Sequence, residues 1–397
     1  MLVIVVLTPG CIQFTSREVR LAERADRFER RSFDRPQLQT FLHEHGLRAS
    51  ADGVWDFESL AIVAYYYHPN LDVARAELDA ARAAEITAGA KPNPSLGISA
   101  ARNTSSGAIS PWIGVLDFDL PIETAGKRGL RLVEARHRTE AARLRLTSAA
   151  WTVRMILRKT LLELADATER TRLGTRQIAK QEEALATMEQ KLAAGAIAGR
   201  ELSLVRSALA RLKKEREDAR GAAAESRVRV APALGLPAAA LPAEFSAKAE
   251  VAADEVNGSR EAKGRALTSR ADLLAALADY AAAQAVLRLE VAKQFPDVRL
   301  GPGYEYDQSE NKWSLGFSIE LPVFNRNRGP IAEADAKRRE AAARVFALQT
   351  NIVAEIEQAV AKWEGAKRRL TVFEELVGEQ KRQAELAAAA CYRSARW

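Results

Sequence analysis

Leu116-Asp117-Phe118-Asp119-Leu120-Pro121 is written again as Phe317-Ser318-Ile319-Glu320-Leu321-Pro322. Both stretches alternate apolar with polar side chains and stop at Leu-Pro. That is the period of a strand with one apolar face, ended by a residue that cannot donate to a ladder. The correspondence extends outward. Pro94-Ser95-Leu96-Gly97-Ile98 matches Pro296-Asp297-Val298-Arg299-Leu300 at an offset of 202, Pro121 matches Pro322 at 201, and Leu71 matches Leu273 at 202. Each copy has the same order: an Ala-rich helix, two short alternating strands, then a long proline-free helix. An internal repeat of this kind is a property of the whole fold.

In the first copy, residues 57–90 read as helix, with Leu60, Val63, Ala64, Leu71, Ala74 and Leu78 near helical spacing and a break at Pro69. Residues 95–101 and 112–120 read as strands. In the second of these, Trp112, Leu116, Phe118 and Leu120 share a face and Asp117 and Asp119 take the other. From Gly126 to Ala193 the pattern is helical, and about 68 residues make a rod of roughly 100 Å. Gly195-Ala196-Ile197-Ala198-Gly199 interrupts it before a second helical stretch from Glu201 to Val230. No proline lies between Pro121 and Pro232, and an interior proline costs a helix about 3 kcal/mol. Pro232, Pro237, Pro242 and Asn257-Gly258 punctuate a linker over 231–264. The second copy is expected to have a helix over 266–294, strands over 298–307 and 313–321 with a turn at Asn311-Lys312, and a helix from Gly329-Pro330 to Tyr392.

Composition narrows the class. Of 397 residues, 28% are charged and the apolar share of 47% is largely alanine, which fits long packed helices better than a compact α/β enzyme. The net charge of +7 is interleaved with acids, as in Arg211-Leu212-Lys213-Lys214-Glu215-Arg216-Glu217-Asp218. That is a solvated helix face, and no nucleic acid partner is expected from it. Cys11 and Cys391 have neither metal spacing nor a disulfide framework. His43-Glu44-His45 has no third ligand near it in sequence and reads as surface. There is no phosphate loop, dinucleotide fingerprint or nucleophile elbow, so neither a catalytic residue nor a cofactor is expected. Beyond the N-terminus no apolar run approaches the roughly 18 residues of a spanning helix; barrel strands of about 9–11 residues escape that test. Residues 1–11 have the apolar centre of a secretory signal without a basic leader, so the natural start is expected upstream. Gly10-Cys11 fits a bacterial lipoprotein site at which Cys11 is lipidated, with a plain cleaved signal as the alternative.

Two hairpins with an apolar stripe cannot cover both faces alone, and their open edges invite pairing with other chains. Closing a barrel from several copies removes the edges. Apolar side chains then face lipid, and Asp117, Asp119, Glu305 and Glu320 face an acidic lumen that attracts cations. A soluble sandwich is the competing object, and it has no use for such long rods.

Leu120-Pro121-Ile122 and Leu321-Pro322-Val323-Phe324 are followed by the basic-glycine elements Lys127-Arg128-Gly129 and Arg326-Asn327-Arg328-Gly329. Pro69-Asn70-Leu71, Arg270-Ala271-Asp272-Leu273, and Gly195 followed by Glu201-Leu202 complete the set. In this order, over residues 57–397, the chain resembles the bacterial outer membrane efflux protein family, the TolC-like channel tunnels. Its lipoprotein-like start resembles the branch paired with resistance-nodulation-division pumps, heavy-metal exporters included. The resemblance implies a mainly α fold with a small β part. Duplicated helix–β-hairpin–helix units would assemble as a homotrimer, with long coiled helices forming a trimeric α-barrel and each chain giving four strands to a twelve-stranded outer-membrane β-barrel. The implied setting is outer-membrane lipid, with extension into the periplasm, and the implied function is passive export in a tripartite efflux system. The implied partners are an inner-membrane pump and a periplasmic adaptor (membrane fusion) protein meeting the turn at Gly195, Ala196 and Gly199, a turn that also reads as a plain helix-hairpin connection.

The expected division is a signal-like segment over 1–11, an N-terminal periplasmic surface arm over 12–56, a first repeat over 57–230, an equatorial linker over 231–264 and a second repeat over 265–397. The second repeat lacks the family's last returning helix, so the reading expects a truncated end after Trp397 and places no gate residues. A periplasmic adaptor and a structural coiled-coil protein are the other readings. The duplicated order argues against the first, and the strands ending at Leu120 and Leu321 against the second.

Overall fold

The computed structural model describes residues 14–47, 54–104, 107, 109–242, 245–248 and 259–394. Cys11, the expected lipidation site, and Trp397 lie outside the described residues. The elements are α1 (Leu21–Glu29), α2 (Pro36–Glu44), β1 (Val54–Asp56), α3 (Phe57–Tyr67), α4 (Pro69–Gly89), β2 (Ser95–Arg102), β3 (Trp112–Ile122), α5 (Lys127–Ala193), α6 (Gly199–Leu234), β4 (Ser246–Lys248), α7 (Ser259–Ser269), α8 (Ala271–Ala292), β5 (Val298–Asp307), β6 (Glu310–Ile319) and α9 (Arg328–Ser394). The expected mainly α architecture with a small sheet is what the chain forms.

The duplication holds in the backbone. Helices α5 and α9 both have 67 residues, and their starts, Lys127 and Arg328, are 201 apart. Each is preceded by a left-handed residue, Gly126 at φ 68° and Asn327 at φ 59°. Leu71 and Leu273 are both buried. The helix breaks repeat too, and here one expectation is corrected. His68 (φ −71°, ψ 121°) separates α3 from α4, and 202 residues later Arg270 (φ −66°, ψ 124°) separates α7 from α8. The expected continuous helix over 266–294 is therefore two. In the first copy Pro69 announces the break, because the residue before proline avoids the helical region. In the second copy the break is held by side chains: Arg270 bonds Asp272 and Glu355, each at 2.7 Å.

The chain divides into two compact units, Met1–Pro69 with Thr152–Val251 and Asn70–Trp151 with Ala252–Trp397. In the first, α5 beyond Thr152 packs antiparallel to α6. Glu182–Lys213 (2.8 Å) and Glu189–Arg206 (2.9 Å) step seven residues forward on one helix and seven back on the other. Leu202 and Leu209 repeat that seven-residue step inside the seam. The expected surface arm is corrected. Helix α1 is exposed, but Phe33, Leu38, Leu42 and Trp55 are buried, because α2 and β1 pack on α3. Strand β1 pairs in parallel with β4. The expected linker is shorter than 231–264, since α6 runs to Leu234 and α7 begins at Ser259. Pro232 sits in the last turn of α6, where few hydrogen bonds remain to be broken, and Gly235 (φ 73°) closes the helix with a left-handed cap.

In the second unit α8 buries Leu273, Ala275, Ala278, Ala282, Ala285 and Leu289. Small side chains at helical spacing let α9 approach closely. Lys263–Glu357 (2.6 Å) and the Arg145–Asp279 pair add polar ties at the rim.

Candidate functional site

The four-stranded sheet β2-β3-β5-β6 is antiparallel throughout. Its register collects the two kinds of side chain on opposite faces. Leu96 faces Phe118 and Ile98 faces Leu116; Leu116 faces Tyr304 and Leu120 faces Leu300; Leu300 faces Phe317 and Tyr304 faces Trp313. One continuous apolar face results. From Val298 to Tyr306 it runs about 26 Å at roughly 3.3 Å per residue, close to the apolar band of an outer-membrane barrel. Trp313, Leu315 and Phe317 are 82%, 76% and 77% exposed within the chain. A face this apolar and this bare needs lipid or protein against it. Tyr304 stacks on Trp313 at 4.9 Å, and Trp112 lies at the same loop end, under the Arg102 guanidinium at 5.8 Å.

Asp117, Asp119 and Glu305 share the opposite, polar face, and Glu320 follows one residue after β6. The structure brings the first three together and adds two cations. Arg299 lies 3.0 Å from Asp119. Lys312 lies 3.7 Å from Glu305 and 2.9 Å from Asp307. Asp307 and Glu310 extend the acidic side, so the face keeps an acidic surplus that is partly neutralised in place. Sequence reading missed Lys312 because it put Asn311 and Lys312 in the turn. The turn is instead Gln308-Ser309, with φ 51° and 65°, between the paired Asp307 and Glu310. Two consecutive positive φ values are what a two-residue hairpin requires to match the strand twist. Asn311 and Lys312 thereby become strand residues.

Where strands become helices, a polar corner ties the two copies together. Lys127, 6% exposed, donates to Asp297 at 2.7 Å and to the Phe295 carbonyl at 2.6 Å. Thr124 donates its backbone N–H to Asp297 (2.9 Å) and its hydroxyl to the Pro296 carbonyl (2.6 Å). Arg131 forks onto Glu123. Sequence reading quoted Lys127 as part of a motif but had no signal for Asp297, which is 170 residues away.

At the far end of α5, Gly195 has φ 71°, and the Gly195 and Ala196 N–H groups return to Leu192 and Lys191 at 2.9 Å each. This is a left-handed helix stop that glycine tolerates at no steric cost. Gly195, Ala196 and Gly199 are all exposed. Among the charges on the helices, Glu58 is held below the ordinary carboxylate range by its hydrogen bonds from Arg154, 2.8 Å for the longer, against the opposing effect of burial.

The sequence profile of the outer membrane efflux proteins matches residues 64–236 and 263–392. The chain belongs to the outer membrane efflux protein family. The two matched segments carry the two copies. The cobalt-zinc-cadmium resistance protein CzcC of Cupriavidus metallidurans is 25% identical over 290 residues, covering 72% of this chain and 68% of that protein. A membrane protein from Pseudomonas aeruginosa superposes with TM-score 0.68 at 20% identity, over 84% of this chain and 82% of its own. The outer membrane protein VceC of Vibrio cholerae superposes with TM-score 0.67 at 21% identity, over 80% and 81%. As a member of this family the chain is an outer membrane efflux protein.

Proposed function

We propose that the channel works as a homotrimer in which β6 of one copy pairs with β2 of the next. The reading rests on one observation: a sheet with an apolar face along its whole length has both edge strands, β2 and β6, unpaired among the described residues. These two strands run in opposite directions, so closing pairs continue the antiparallel order. Three copies make twelve strands with no free edge. Asp117, Asp119, Glu305 and Glu320 then line the pore, and the long helices continue it as an α-barrel. The exposed turn of Gly195, Ala196 and Gly199 is the surface offered to a periplasmic adaptor protein, and an inner-membrane pump supplies the energy. The channel itself needs only a walled path, so no reaction is assigned to it.

The cargo class is divalent metal cations. The acidic surplus of the polar face supports this, as does the likeness to a relative whose name records cobalt, zinc and cadmium resistance. Outer-membrane fractions run unheated on a denaturing gel test the assembly: a heat-sensitive band near three times 43.5 kDa is the expected result, and a monomer alone would sink the trimer.

A further inference from the structure

The two hairpins share one register. Leu96 faces Phe118 in the first, and Val298 faces Ile319 in the second. The first strand is carried forward by 202 residues and the second by 201, the offsets that the sequence repeats. The same shifts act on the pairing that joins the hairpins. Strand β3 faces β5 with Leu120 opposite Leu300 and Asp117 opposite Gly303. Carried forward on β3 and back on β5, these pairs become Leu321 opposite Ile98 and Ser318 opposite Ala101. One chain cannot make them, because β2 and β6 are the two edges of a four-stranded sheet, three strand spacings or roughly 14 Å apart.

The flanks of this pairing are bare. Leu321 is 71% exposed where its counterpart Leu120, beside β5, is 37% exposed. Ile98 is exposed where Leu300 is half-buried. Strand length follows the same rule: β3 continues along β5 to Ile122, whereas β6 stops at Ile319, short of the counterpart Val323. A neighbouring strand covers and extends β3 and does neither for β6.

The corner beyond the strands transfers too, with changed chemistry. Inside the chain Lys127 donates to Asp297 and to the Phe295 carbonyl, and Glu123 pairs with Arg131. Under the two shifts Lys127 becomes Arg328, Asp297 becomes Ser95 and Phe295 becomes Asn93, while Glu123 becomes Phe324 and Arg131 becomes Ala332. The cation is kept and its counter-charge is not. Arg328 opens α9 as Lys127 opens α5. It is exposed and has no hydrogen bond or ion pair with a described residue. We propose that the contact between copies has this register, with Leu321 of one copy opposite Ile98 of the next, and that Arg328 lies over Ser95 and the Asn93 carbonyl of that next copy. This rests on the trimer reading and adds to it the register and the cation at the seam. Hydrogen bonds hold the corner between copies where ion pairs hold it within each chain, so the joint between copies is the weaker of the two.

Disulfide trapping reads the register. Ser318 and Ala101 both lie on the polar side of the sheet, and a disulfide needs Cα atoms within about 7 Å, nearer than the two edges of one chain. Oxidised S318C/A101C should give a covalent band near three times 43.5 kDa. S318C/S99C, displaced by two residues, should stay mostly monomeric, as should each single variant. Heat reads Arg328. S95D supplies the carboxylate that Asp297 supplies inside the chain, so its oligomer should dissociate on gels several degrees above wild type. S95N should show no such gain, and adding R328Q to S95D should abolish it. A wild-type oligomer whose variants join through S99C, or through neither position, overturns the register. An S95D oligomer no more heat-stable than wild type, or a gain that survives R328Q, overturns the Arg328 contact. A wild-type chain that forms no oligomer overturns the trimer reading itself.

Discussion

Lys127 and Asp297 meet at 2.7 Å across the two halves of the duplication, with the lysine buried and the aspartate side chain still 41% exposed. The burial is asymmetric, so the two single substitutions should differ. Asp297→Asn leaves an ammonium buried without its counter-charge, whereas Lys127→Met leaves a carboxylate that water reaches. Removing one partner of a buried pair costs up to about 3–5 kcal/mol. The expected order is a loss of about 2–3 kcal/mol for Asp297→Asn and about 1 kcal/mol for Lys127→Met. Urea unfolding of the purified channel measures both, and equal losses would remove the argument from burial.

Gly195 and Gly235 have nearly the same backbone, φ 71° and 73°, in different surroundings. A Cβ on Gly195 meets nothing within 4 Å, whereas a Cβ on Gly235 lies 2.6 Å from the Tyr67 carbonyl oxygen. That carbonyl is held in place by Arg31, which donates to Tyr67 O at 2.7 Å and Gly235 O at 2.8 Å. Gly195→Ala should cost only the left-handed penalty of about 1–2 kcal/mol. Gly235→Ala adds a backbone collision and should cost about 3 kcal/mol or more, or abolish accumulation in the membrane. Thermal melts of the helical circular dichroism signal check the ranking.

Asp272 is held below the ordinary carboxylate range, first by its hydrogen bonds from Arg270 and then by that residue's charge, with burial opposing. Its folded value is depressed, so its stabilisation is complete above the unfolded value of about 3.9 and is lost as pH falls through the folded one. Asp272→Asn should therefore lower the melting temperature at pH 7, and the gap from wild type should close as pH drops below about 4. A gap that stays constant from pH 7 to pH 3 would mean the carboxylate contributes nothing there.

Asp117 lies opposite Gly303 in the sheet and has no ion pair among the described residues. Asp119, by contrast, is paired to Arg299. Charge reversal at Asp117 together with Asp119 places six changed charges around a trimeric lumen. The reversal potential in a planar bilayer should move from cation towards anion preference by a severalfold change in permeability ratio. Unchanged selectivity would take these residues off the pore wall.

Much of this was legible in the chain. Period-two alternation at Trp112–Ile122 and Val298–Asp307, and the proline-free runs behind them, are local signals, and local backbone sterics are enough to turn them into strands and rods. The spacing of Asp117 and Asp119 placed them on one face for the same reason. Pro69 was readable as a helix break; its counterpart at Arg270 was not, because there the break depends on Asp272 and on Glu355, 85 residues further along.

What the sequence by itself determined is the order of elements, the duplication and which side chains share a strand face, since all of these follow from a few residues' own geometry. The tertiary structure decided the Gln308-Ser309 turn, the Arg299–Asp119 and Lys127–Asp297 pairs, and the burial of Trp55 and Leu38 in what reads as a polar arm. The turn depends on the β5–β6 register and the buried arm on α3 packing against it, while the two ion pairs join residues 180 and 170 apart. No local preference carries those pairs: they exist only once the two copies lie side by side, with β3 against β5.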